Sequence, residues 1–168
     1  MLVADTAIPA WHEARDELPI LFVGSAAAAG SGAGLIISAL TRGGLRENGP
    51  VARLGAVGAA VDLAAGHLLE RRLDELPGGV GDAYRTGKAG RWNRLARALT
   101  ATGGICALLS RRSRAGSLVA GLALTAGSLA TRFAVFEAGR QSADEPQHVI
   151  APQRERLARR GRSDADGS

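Results

Sequence analysis

LPILFVGSAAAAGSGAGLIISALT, residues Leu18 to Thr41, decides the fold. It contains no charged side chain. An apolar run of roughly 20 residues is long enough to cross a bilayer as a helix. A helix suits that solvent because it satisfies its own backbone N–H and C=O groups. Three further runs resemble it. Leu54 to Leu69 carries only Asp62, Ala98 to Ser110 carries no charge, and Ala115 to Gly139 carries only Arg132 and Glu137. The pattern predicts an all-α, polytopic membrane protein. Its four-helix transmembrane bundle occupies residues 1–141, with spans near 18–41, 50–69, 93–110 and 115–139. A short polar tail, 142–168, follows on the cytoplasmic side and is expected to be partly disordered.

Composition alone hides this. Mean hydropathy is only +0.03, and the pI is near 10.8. The average is low because charge and apolar residues are segregated along the chain. The basic residues flank the apolar runs and form no continuous helical stripe, which argues against nucleic acid as the partner. A soluble Ala-rich bundle is a rival reading, but the first run has no polar face beyond small Ser and Thr. Cys106 is the only cysteine, so neither an intrachain disulfide nor a cysteine cluster for zinc or iron–sulfur is expected. His12, His67 and His148 do not converge in spacing, which disfavours bis-histidine haem. No metal site is expected. The N-terminus has acidic residues and no basic n-region before the first apolar run, so that run is read as an uncleaved anchor.

Loop charges give an orientation. Four crossings place both ends on one side. That side carries 14 Lys and Arg residues, from Arg15 through Arg71 to Arg97 and from Arg140 into the tail, against 6 on the other side. The richer side is expected to be cytoplasmic, so the chain reads as a multi-pass protein of the cytoplasmic (inner) membrane with both termini inside. The third run has the shortest uncharged core, and Arg94 and Arg97 must snorkel toward the head groups.

In lipid, helices associate where small residues let backbones approach. The first run offers Gly30 and Gly34 at fourfold spacing, and the last offers Gly121. A dinucleotide-binding loop at GSGAG fails, because Leu35 stands where the third glycine belongs.

Charges within the runs are costly, which makes Asp62 and Arg132 the first functional candidates. Asp62 lies eight residues before Glu70, and Arg132 eight before Arg140. Both therefore sit about 12 Å inside their span ends. Matched depth suggests an ion pair between spans two and four, acting either to fix the bundle or as part of a proton path. Thr125, Ser128 and Arg132 are read as one face of span four, and Asp62, Gly66 and Glu70 as one face of span two. Glu70 and Glu137, close to the boundary, join the candidate set, and Glu137 is expected to pair with Arg71 or Arg140. No catalytic residue stands out.

Several stretches carry a family resemblance. TAIPAWHEARDELPILFVGSAAAAG (Thr6 to Gly30), LERRLDELPGGVGDAYRTGKAGRWNRLARALTATG (Leu69 to Gly103), ALTAGSLATRFAVFEAGRQSADEP (Ala123 to Pro146) and APQRERL (Ala151 to Leu157) resemble, in that order, the C-terminal half of NrfD-type, polysulfide-reductase-like membrane subunits. The resemblance implies a membrane anchor, or half-subunit, of a respiratory oxidoreductase. Such a subunit passes electrons between membrane quinone and a ferredoxin-like iron–sulfur subunit, which serves a molybdopterin oxidoreductase subunit. It also implies a separate N-terminal half as a partner, since the family has about twice as many spans and its quinone pockets lie mainly in that half. No quinone-site residue transfers to this chain. The alternative is a non-enzymatic membrane scaffold, or a degenerate copy without quinone chemistry.

Overall fold

The computed structural model describes residues 17–41, 48–74, 87–109 and 113–144. They form four helices: α1 (Leu18–Leu40), α2 (Asn48–Asp74), α3 (Gly87–Leu109) and α4 (Arg114–Asp144). Three of them, α1, α2 and α4, are long and apolar enough to cross a membrane. The fourth, α3, opens on Lys88, Arg91, Arg94 and Arg97 and is not. Among the expected site features, Trp11, His12, the 75–86 connection and the tail beyond 144 lie outside the described residues.

Local chemistry sets the helix ends. Pro19 stands in the first turn of α1, where its missing N–H costs no helical bond. Pro50 does the same in α2. Ser113 caps α4: its Oγ accepts the Gly116 N–H at 3.3 Å, and its carbonyl accepts the Ser117 N–H at 2.9 Å. Arg71 and Arg72 lie in the last turn of α2, opposite the partial negative charge of the helix C-terminus.

The helices run up and down in a ring, with α1 against α2 and α4, and α3 against α2 and α4. One end gathers the start of α1, the end of α2, the start of α3 and the end of α4. There Arg72 pairs with Glu17, and Trp92 stacks on Phe133 with ring centroids 5.2 Å apart. At the opposite end Asn48 Nδ2 donates to Ser117 Oγ at 3.0 Å.

Side chains are distributed inside out relative to a water-soluble bundle. The interior is mostly Ala, Gly, Ser and Thr, with Leu35 and Leu124 as its largest fully buried aliphatic groups beside Leu18. Leu, Ile, Val and Phe face outward, among them Val23, Ile37, Val57, Ile105, Leu122, Leu129 and Phe136, each more than half exposed. Water would penalise a surface of that extent, whereas hydrocarbon solvates it.

Close approach at glycine holds the ring together. A Cβ on Gly121 would lie 2.6 Å from the Gly32 carbonyl oxygen, and one on Gly24 would lie 2.6 Å from the Asp62 nitrogen. Gly34 meets Val51 in the same way, at 2.9 Å. Gly30 differs from the sequence expectation. Nothing lies within 4 Å of a Cβ built there, and the residue is exposed. Fourfold spacing from Gly34 cannot tell the inner from the outer face of an all-apolar helix, and within the bundle the contact falls to Gly32.

Candidate functional site

The four helices converge on Asp62. Its backbone lies against Gly24 of α1, whose missing side chain allows that contact. The residue is 5% exposed. Thr100 of α3 donates from its hydroxyl to Oδ2 at 3.4 Å. Thr131 of α4 flanks the same carboxyl, while its own hydroxyl donates to the Gly127 carbonyl at 3.1 Å. Oδ1 is buried and has no hydrogen-bond partner among the described residues.

Asp62 faces a cavity of about 30 Å³. Apolar walls come from Leu21, Leu69, Ala134 and Val135, and the far rim is polar, formed by Glu70, Asn93 and Arg97. Glu70 accepts hydrogen bonds from Asn93 Nδ2 at 2.5 Å and from Arg97 at 2.6 Å. Its side chain is 14% exposed, while that of Arg97 is 45% exposed. The cavity therefore leads from the charged end of the bundle to a carboxylate two helical turns deep. A water needs about 10–15 Å³ of such space, together with polar partners to hold it. The cavity has both.

Past Asp62 the polar groups continue but the space closes. Ser25 and Ser128 share a hydrogen bond of 2.8 Å in the interior. A Cβ on Gly58 would meet the Ala28 nitrogen at 2.7 Å, and Leu35 and Leu124 are fully buried beyond it.

The candidate residues separate into inner and outer sets. Asp62 and Glu70 border one cavity. Arg132 does not join them through an ion pair. It is exposed, with its guanidinium carbon 6.0 Å from the centroid of the Phe22 ring. Ser128 and Thr131 are buried in α4 while Thr125 is half-buried and Arg132 exposed, so the inner face keeps Ser128 of the Thr125–Ser128–Arg132 reading and takes Thr131 in place of Arg132. Glu137 pairs with Arg140 at 3.4 Å, one of its two expected partners, well outside the cavity. The site residues that sequence reasoning missed are Thr100, Thr131, Asn93 and Arg97. Thr100 could have been flagged as a polar residue inside an uncharged run at the depth of Asp62. Asn93 stands at the first residue of the expected third span and Arg97 is expected only to snorkel from it, so the sequence gives no sign that either meets Glu70.

Among the described residues, no three His, Cys, Asp or Glu side chains converge as a metal site would require. Comparison with known proteins returns nothing: no family model, no curated protein and no solved structure matches the chain.

Proposed function

We propose that the chain is a four-span anchor in the cytoplasmic membrane, acting as a subunit or half-subunit of a respiratory oxidoreductase. In this role it serves electron exchange between membrane quinone and a peripheral iron–sulfur subunit, which in turn serves a molybdopterin subunit. One structural observation carries the membrane part: an apolar outer surface wrapped around an interior of small and polar residues. The NrfD-type resemblance of the segments around α1, α3 and α4 carries the redox part. The charged end, with Glu17, Glu70, Arg72 and Arg97, supplies a polar face on which a soluble subunit could dock.

Affinity purification in mild detergent tests this. The expected result is co-purification of an iron–sulfur protein, a molybdopterin protein and extractable quinone. Recovery of the chain without any of them overturns the redox assignment.

The scaffold reading has one observation of its own. Val23, Ala26, Gly30, Ala33 and Ile37 make an exposed face on α1, and Gly30 there has no neighbour within the bundle. A second bundle, whether a copy of this chain or a separate N-terminal half, would approach most closely at that face. Gly30→Leu is then expected to abolish association while leaving the monomer folded. Association that survives the substitution rejects this interface.

A further inference from the structure

We propose that Asp62 is a proton-binding site loaded from one side of the membrane only, through the cavity that ends at Glu70, Asn93 and Arg97. The proposal rests on the membrane placement of the bundle and is independent of its redox partners.

Three observations carry it. The carboxylate is buried at membrane depth, its Oδ2 accepts from Thr100, and its Oδ1 lacks a partner among the described residues. Buried polar atoms are rarely left unsatisfied, and Glu70, Asn93 and Arg97 at the rim give water in this cavity the polar partners it needs. The cavity is lined by Asp62 at one end and reaches Glu70, Asn93 and Arg97 at the charged end of the bundle. On the other side, glycine-mediated contacts and Leu35 and Leu124 close the route. The result is a passage with one mouth.

The chemistry is a proton transfer and nothing more. Cavity water delivers a proton to the Asp62 carboxylate, an O–H bond forms, and the group becomes a neutral acid. Bulk water at the mouth replaces the proton, and no electron moves. Charged groups facing the passage are Glu70 on α2 and Arg97 on α3. On α4 Arg132 is the cation whose field reaches the carboxyl, and α1 contributes the apolar Leu21. Arg97 is already committed to Glu70, so it does not neutralise Asp62 directly. Thr100 and Thr131 supply hydroxyls on either side, which can orient the acid in both protonation states.

The test uses the full chain in lipid vesicles with two readouts. A hydrophobic carbodiimide reacts with protonated carboxyls in apolar surroundings. Mass spectrometry is expected to find the adduct on Asp62, with a yield that falls at least tenfold as pH rises, and to find none in Asp62→Asn. In a Cys106→Ala background, Gly66→Cys places a thiol on the cavity wall, where a Cβ meets only Leu21 at 3.7 Å. A membrane-impermeant thiol reagent is expected to label it from the side of Glu70 and not from the other. Absence of an adduct on Asp62 at every pH, or labelling of Gly66→Cys from the opposite side, overturns the proposal. Release of the chain by alkaline carbonate overturns the membrane placement itself, and this outcome is separately visible.

Discussion

At the scale of single residues, the site depends on how one carboxylate is held. Asp62 has one oxygen bonded and one buried, lines a cavity, and has neighbours on all three other helices. Thr100→Val removes the hydroxyl that donates to Oδ2 while keeping the side-chain shape. Inter-helix hydrogen bonds in lipid are worth about 0.6–2 kcal/mol, so this change should lower stability by an amount in that range in detergent unfolding. Arg132→Ala should cost less, about 0.5–1 kcal/mol, because it loses an exposed contact over an aromatic ring. Because no ion pair joins Arg132 to Asp62, the two alanine substitutions should add to within about 0.5 kcal/mol. A double mutant much more stable than that sum would restore the direct pair suggested by their matched depths. The sequence made Asp62 visible because a charge in an apolar run is conspicuous. It could not place Arg132, since depth along a helix says nothing about rotation around it. Thr131, adjacent in sequence, took the inner position.

At the scale of elements, the helices were legible where solvent preference and helix length coincide. The run 18–41 became α1, Leu18–Leu40, almost unchanged. The others are longer than their uncharged cores. The expected span 93–110 begins six residues earlier in α3, at Gly87, and α4 continues to Asp144, past the boundary expected at 141. The uncharged cores stop where Lys and Arg begin, but a helical backbone continues through Lys and Arg whose long side chains can reach water. The glycines were legible as contact residues in kind and not in face. Gly121→Ala tests that assignment at the α1–α4 contact. The added methyl meets the Gly32 carbonyl and Ile36, and backbone atoms cannot yield as a flexible side chain can. A loss of about 1–3 kcal/mol is expected, read as a lower unfolding temperature in detergent. Gly30→Ala, in open space, should leave stability unchanged to within about 0.5 kcal/mol. Equal effects of the two substitutions would reject the inner and outer faces described for α1 and α4.

At the scale of the whole molecule, the four-span proposal requires α3 to cross the membrane alongside α1, α2 and α4. Its 23 residues give about 34 Å of helix, enough for a hydrocarbon core of about 30 Å. Four basic residues lie in its first half, but they are not equivalent. Arg97 is paired with Glu70, so the deepest of them enters with a counter-charge. Lys88, Arg91 and Arg94 are exposed and lie closer to the end that also holds Glu17 and Arg72. Trp92 stacks on Phe133 at the same level, as an aromatic ring at a membrane interface would. Leu95, Ile105, Leu108 and Leu109 face outward along the rest of the helix. A water-facing helix would gain nothing from that surface. In a Cys106→Ala background, Lys88→Cys and Ser113→Cys mark the start of α3 and the turn after it. If α3 crosses, an impermeant thiol reagent should label them from opposite sides of oriented vesicles, with Lys88→Cys on the cytoplasmic side. Labelling of both from one side would lay α3 along the surface. Asp62 would then be closed off by an interfacial helix, and the cavity behind Glu70 would open into the head-group layer rather than run alongside a fourth span.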